Sequence, residues 1–199
     1  EQTFNENDVL TNSSSVSRFN ESQVRNFSND LDITKRFGSK GSFLKFGFQT
    51  QFNNTDSEGF LKSETLIEDV NSDDIFRDQF TDALSKSNRF SLSTTYRIPL
   101  VAKELFFDTK LTHSSDNRST VNSTFDLDEN TLEYSIFNDQ LSTDFENSNR
   151  RTTPSAELVY RKDKWRLSLE SGYVFLTIEN KDQLRPELDL KRNFEAVEL

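Results

Sequence analysis

The chain has no cysteine, no methionine and a single histidine among its 199 residues, and only 5 glycines and 3 prolines. Without thiols there is no disulfide framework, no thiolate metal site and no cysteine nucleophile. The lone His113 excludes a zinc site built on several histidines. No glycine-rich phosphate loop and no Gly-x-Ser-x-Gly elbow is present. The shortage of glycine and proline excludes collagen-like and linker readings. No apolar run approaches the roughly 20 residues that a membrane helix requires, which excludes helical spans but not β-barrels, whose signal per segment is far weaker. Methionine is missing even from position 1, so the chain reads as a processed form or as part of a longer protein.

What is there is aromatic. Hydrophobic residues make up only 32% of the chain, yet 19 residues are phenylalanine. A disordered chain would lack those rings. Scarce but bulky apolar surface suits a half-buried sheet, where every second residue is free to be polar. The formal charge is −10. That argues against a nucleic-acid partner, because such binding rests on neutralising phosphates. The acid is concentrated in stretches such as EDVNSDD (residues 68–74) and DLDEN (126–130).

Alternation marks the strands. In residues 27–37 the odd positions carry Phe27, Leu31, Ile33 and Phe37, against Ser28, Asp30, Asp32 and Thr34. After GSKG (38–41), a turn, one face carries Leu44, Phe46, Phe48 and Phe52 and the other Phe43, Lys45, Gly47, Gln49 and Gln51. Phe90, Leu92, Thr94, Tyr96 and Ile98 alternate with Ser91, Ser93, Thr95 and Arg97. PLVAKE (99–104) turns the chain into Leu105, Phe107, Thr109 and Leu111. A further strand contains Leu158 and Tyr160; RKDK (161–164) turns it into one bearing Trp165, Leu167, Leu169, Tyr173 and Phe175. Each strand shows about 9–11 alternating residues, the length a tilted strand needs to cross a bilayer core. Residues 1–20 read as loop. Residues 53–76 and 114–140 read as long loops or strand extensions. Tight turns near Lys40, Ala102 and Asp163 on one end, with long polar connections on the other, fit a transmembrane barrel better than a soluble sandwich. Rings near those turns (Phe37, Phe43, Tyr96, Phe106, Phe107, Tyr160, Trp165) suit an interfacial girdle. Alternation by itself leaves the soluble sandwich open, because only the direction of the apolar face differs.

A resemblance bears on that choice. NRFSLSTTYRIPLVAKELFFDTKLTHSS resembles the repeated hairpin of large Bacteroidota outer-membrane barrels, the outer membrane protein β-barrel family and its TonB-dependent-receptor-like relatives. There a strand ends in Tyr-x-x-Pro-Leu and an aromatic-rich strand returns. The stretch LSTDFENSNRRTTPSAELVYRKDKWRLSLESGYVFLTIEN is similar to the next hairpin, and LKRNF to the approach to the strand after it. The resemblance implies an all-β, antiparallel up-and-down transmembrane barrel, of which this chain is an internal portion, with short periplasmic turns and long extracellular loops. It implies the outer membrane of a Gram-negative bacterium, uptake or binding of a ligand at the cell surface, and no enzymatic activity or cofactor. The implied partners are outer-membrane lipids, with a surface lipoprotein and the TonB system reached through parts not in this chain, and no nucleic acid. The lipid-facing set is then Phe37, Leu44, Phe46, Phe48, Phe52, Phe90, Leu92, Tyr96, Phe107, Leu158, Tyr160, Trp165, Leu167, Leu169, Tyr173 and Phe175. The alternatives are a barrel subunit serving as a structural or docking platform in an outer-membrane complex, a self-contained eight-stranded barrel, and a soluble β-sandwich binding module.

Other chemistry is weak. His113 reads as a surface or interface residue. DLDEN begins like a calcium loop but has Thr131 and Phe137 where that loop needs Gly and Glu. The Asn-x-Ser/Thr triplets at Asn12, Asn53 and Asn122 are expected by chance in so Ser- and Asn-rich a chain.

Overall fold

The computed structural model describes residues 2–4, 10–67 and 74–198. Their regular structure is antiparallel strand, apart from one 3-10 turn at Pro186–Leu188. The strands are β1 (Gln2–Phe4), β2 (Leu10–Phe37), β3 (Ser42–Ile67), β4 (Ile75–Val101), β5 (Leu105–Asp128), β6 (Glu133–Phe137), β7 (Thr143–Lys162), β8 (Trp165–Asp182) and β9 (Leu190–Glu198). They form one sheet in the order β1-β2-β3-β4-β5-β7-β8-β9, with β6 pairing β5 off that path. Each long strand lies beside its sequence neighbour, an up-and-down meander. The sheet is not closed: the first and last strands of the order do not pair with each other among the described residues.

The tight turns fall where glycine or a left-handed residue allows them. Gly38 and Gly41 have φ of +61° and +97°, and Lys103 and Asp163 have φ of +67° and +52°. Such values cost a side chain about 1–3 kcal/mol, which glycine avoids. The other connections are built differently. The β5–β6 turn holds Leu132 at φ +58°, with its N–H donating to the Asp128 carbonyl at 2.8 Å.

The strands are far longer than their apolar alternation. Residues 10–20, expected as loop, belong to β2, and residues 53–67 and 114–128 continue β3 and β5. The reason is that a strand with polar residues on both faces has no apolar alternation to read, yet its backbone groups still pair across the ladder. The acidic stretch at 68–73 lies outside the described residues.

The chain divides into two compact units. Unit 1 comprises Glu1–Val24, Thr55–Ser85 and Thr120–Asp144. Its centre is a ring cluster: Phe60 lies 4.9 Å from Phe80 and 5.5 Å from Tyr134, centroid to centroid. The Tyr134 hydroxyl donates to Asp78 at 2.7 Å, and Lys62 pairs with the same carboxylate at 3.4 Å. Buried Ser142 accepts from the Thr124 N–H at 2.9 Å and donates to the Asn138 carbonyl at 2.7 Å. The β5–β6 hairpin is thus held by side chains as well as by its ladder.

Unit 2 comprises Arg25–Asn54, Lys86–Ser119 and Phe145–Leu199. It contains the tight turns and the alternating stretches. The β7–β8 register places Leu158 opposite Leu169, Tyr160 opposite Leu167 and Thr152 opposite Phe175, so these share one face. Buried apolar residues among those described are only Phe106, Val159 and Val174.

Gly41 tests the turn geometry. A Cβ there would sit 2.9 Å from the buried Phe106 ring. Gly41→Ala is expected to destabilise the folded protein by about 1–3 kcal/mol through strain at positive φ. Gly38→Ala, at φ +61° and with nothing within 4 Å of a Cβ, is expected to cost less, since it meets neither the ring nor the wider angle. Urea unfolding in detergent reads both.

Candidate functional site

The candidate site is the two-faced strand array of unit 2, and contacts between neighbouring strands fix which residues share a face. On one face, Phe27 of β2 lies 6.0 Å from Phe52 of β3, and Phe90 of β4 lies 5.6 Å from His113 of β5. His113 Nδ1 is 2.8 Å from Thr152 Oγ1 of β7. The pairing of Thr152 with Phe175 carries the face on into β8. By the alternation of each strand, the residues expected to face lipid fall on this same face. Phe37, Leu44, Phe52, Phe90, Tyr96, Leu158, Trp165, Leu167, Leu169, Tyr173 and Phe175 are exposed on it, Trp165 and Leu169 to 72%. Phe46, Phe48, Leu92, Phe107 and Tyr160 are half-buried among their neighbours.

The apolar residues of this face form a band. They recur at alternate positions within residues 27–37, 44–52, 90–100, 105–113 and 165–175, spans of 9–11 residues interrupted on β2 by Asn29 and Lys35, and on β7 at Ala156, Leu158 and Tyr160. Beyond the band the same face turns polar, through Arg25, Asn54, Asn88, Asn117 and Arg150. The 9–11 residues read from alternation are thus the width of the band, not the length of the strands. An uncovered apolar surface this large marks an interaction surface, with protein or with a membrane.

The opposite face is a network of charge. Lys45 pairs with Asp32 at 3.2 Å, and Gln49 donates to Asp30 at 3.0 Å. Gly47 leaves room for Ser93 and Asp32, whose oxygens would lie 2.7 and 3.0 Å from a Cβ there. Arg89 pairs with Asp116 at 2.7 Å, and Arg118 joins the same carboxylate at 3.1 Å. The most buried pair is Arg97 with Asp108: the Nε–H donates to Oδ1 at 2.7 Å and a second guanidinium nitrogen donates to Oδ2. The bidentate fork is the geometry in which arginine binds carboxylate best. The guanidinium also lies 4.9 Å from the ring centres of both Phe43 and Phe106.

Those two rings correct the sequence reading. Phe43 and Phe106 were expected in an interfacial girdle with Phe37, Tyr96, Phe107, Tyr160 and Trp165. Instead they lie on the charged face and sandwich Arg97. Both are out of phase with the apolar positions of their own strands, and that was the available signal. The Arg97–Asp108 pair has no sequence signature, because it joins residues across a hairpin whose register only the fold sets.

Further along the charged face, Lys110, Arg151, Glu170 and Glu198 surround a cleft of about 610 Å³. Gly172 also lines it, at a position where a Cβ would crowd Ser155 Cβ at 3.0 Å and the Pro154 carbonyl at 3.2 Å. Arg151 pairs with Glu198, and Ser155 donates to Glu170 at 3.0 Å. The cleft is open along the sheet face and lined by charges and hydroxyls, with no apolar wall.

No cluster of three or more His, Asp or Glu residues with metal-binding geometry occurs among the described residues. In DLDEN, Asp126 accepts from Gln79 and Asn138, both at 2.8 Å, and Asp128 accepts from the Asn130 N–H at 2.9 Å. These carboxylates are occupied in holding the hairpin. No protein-family model matches the chain, and no curated protein matches it.

Two predictions follow from the electrostatics. Asp108→Asn leaves the Arg97 charge without its counter-ion and is expected to cost on the order of 3–5 kcal/mol, while the paired change Arg97→Met with Asp108→Leu recovers most of that loss; urea unfolding in detergent measures both. In unit 1, the hydrogen bond to Asp78, with burial and the charge of that carboxylate, raises the Tyr134 phenol above its ordinary value. Its contribution to stability is complete below the unfolded value of about 10 and is lost as pH rises through the higher folded value. An absorbance titration should show a late-ionising tyrosine component that shrinks by one residue in Asp78→Asn.

Proposed function

We propose that this chain is a section of the wall of an outer-membrane β-barrel in a Gram-negative bacterium, related to the large Bacteroidota barrels of TonB-dependent transporter and receptor type, and that the barrel takes up or binds a ligand at the cell surface. The observation that carries the reading is the band: on one face of unit 2, apolar side chains extend for 9–11 residues on strand after strand and then give way to polar ones. That is the length at which a tilted strand crosses the hydrocarbon core. Meanwhile the other face keeps its charges paired and hydrated, as a lumen requires.

The mechanism is physical. Paired backbone groups let strands stand in lipid, where an unpaired N–H or C=O costs several kcal/mol. Rings such as Trp165 and Tyr96 anchor the wall at its interface. The charged face, with the cleft around Lys110, Arg151 and Glu170, offers a polar ligand groups to exchange along its path. The tight turns at Gly38–Gly41, 102–104 and 163–164 are then periplasmic. A plug and any contact with the TonB system belong to parts of the protein outside this chain, and a surface lipoprotein is a natural partner for the outer rim.

A second reading is favoured by unit 1. Its strands are braced by the Phe60–Phe80–Tyr134 cluster and the Ser142 bonds, and apolar side chains such as Phe19, Phe76 and Leu132 stand exposed among its polar ones, a surface suited to a docking platform within an outer-membrane complex.

Membrane fractionation of the native full-length protein, followed by electrophoresis with and without heating in detergent, tests the shared core of both readings. Outer-membrane recovery with a band that shifts on heating is the expected outcome. A protein recovered in the soluble fraction with no shift would turn the apolar band against a second sheet instead and sink the proposal. Co-purification of a lipoprotein in stoichiometric amount would favour the platform, and ligand uptake lost on deletion of an upstream plug would favour the transporter.

A further inference from the structure

The rim of the apolar band carries a row of hydrogen-bond donors that the wall reading alone does not require. Arg25 lies two positions beyond Phe27 on β2, Lys86 and Asn88 lie four and two beyond Phe90 on β4, and Arg150 lies two beyond Thr152 on β7. All share the face of the rings. Arg25, Phe27, Phe52, Lys86 and Asn88 line one cleft of about 330 Å³, and Lys86, Asn88, Asn117 and Arg150 line a second of about 380 Å³, so Lys86 stands between the two.

The charge of this rim opposes that of the chain. The formal total is −10, yet the two carboxylates in the second cleft are Glu146 and Glu179. Glu179 is held between Lys181 and Lys191, each at 3.4 Å. Glu146 stands opposite Lys181 in the β7–β8 register without an ion pair of its own among the described residues, and against these two carboxylates the cleft carries four cations, Lys86, Arg118, Arg150 and Lys181. Neither Lys86 nor Arg150 has a carboxylate at ion-pair distance among the described residues. The cleft therefore keeps a net positive lining, with Lys86 and Arg150 outside any ion pair and Asn88 and Asn117 beside them, at the edge of an aromatic band.

We infer that this rim binds the phosphate groups of anionic lipid headgroups, through Lys86 and Arg150 with Arg25 beside them. The inference rests on the wall reading, because the adjoining band must be in lipid. The distances agree with it. On β2 and β4, two to four residues at about 3.3 Å each place Arg25, Asn88 and Lys86 roughly 7–13 Å along the strand from Phe27 and Phe90, and on β7 Arg150 stands opposite Thr177, two positions past Phe175 of β8. The headgroup layer adds about 5–8 Å on each side of the hydrocarbon, since the whole bilayer is 40–45 Å against a core of 30 Å. Strand tilt shortens the vertical offset, and long cationic side chains lean toward the interface. A guanidinium matches phosphate in a bidentate fork, while a lysine serves as a point charge.

The test uses the full-length protein in vesicles of phosphatidylcholine alone or with about one fifth phosphatidylglycerol. Flotation reports insertion, and the temperature of heat-induced mobility shift reports stability. The wild type is expected to melt several degrees higher in the anionic vesicles. High salt should erase the gain, as for any exposed charge contact, and Lys86→Gln with Arg150→Gln should lose most of it while melting normally in phosphatidylcholine. Inorganic phosphate added to neutral vesicles should give none of the gain; if it reproduces the gain, the site takes free phosphate and the headgroup assignment is wrong. Flotation with equal melting in both vesicles, or a gain retained by the double variant, overturns the headgroup site alone. Failure to float with either vesicle overturns it together with the wall reading.

Discussion

The backbone ladder between antiparallel neighbours is the constraint on which the rest of this structure depends. Only three apolar side chains are buried among the described residues, too few for a hydrophobic core to organise the chain. What every long strand shares is a neighbour to which its N–H and C=O groups are bonded. An unpaired backbone group costs about as much as a lost hydrogen bond in water and several kcal/mol in hydrocarbon. The meander follows from this, because each strand meets its partner by the shortest connection.

Once the ladder is fixed, the two faces become separate chemical problems. Rings on one face sit beside rings from adjacent strands, and charges on the other sit beside charges. Arg97 shows how the faces are kept apart. Its guanidinium is paired with Asp108 and covered by Phe43 and Phe106, so a buried charge is satisfied close to the turns without reaching the apolar band. Arg89 and Arg118 share Asp116 in the same spirit, though exposed pairs of that sort contribute little to stability. The polar rim of the band then marks a change of surroundings along strands that remain unbroken.

Much of this was legible in the sequence wherever the two faces differ. Alternation at Leu44, Phe46, Phe48 and Phe52, or at Trp165, Leu167 and Leu169, identified both the strands and the face. Glycine at 38 and 41 and the RKDK stretch identified the turns. The strand over residues 10–20 was not legible, and over 53–67 and 114–128 the sequence left loop and strand extension both open. In residues 10–20 and 53–67 both faces carry Ser, Asn, Thr and charged residues, so the period of two vanishes although the ladder continues. Unit 1 shows what replaces it: a few rings and the buried hydroxyl of Ser142, brought together from distant stretches.

The sequence by itself determined the all-β class, the position of the tight turns and the apolar face, because each is encoded within a few neighbouring residues by alternation or by a residue that tolerates positive φ. Only the tertiary structure decided how far the strands continue, which off-phase rings cover Arg97, and which cations gather at the rim of the band. Those features depend on the register between strands that lie far apart in sequence, and a shift of one residue there would move every side chain to the other face.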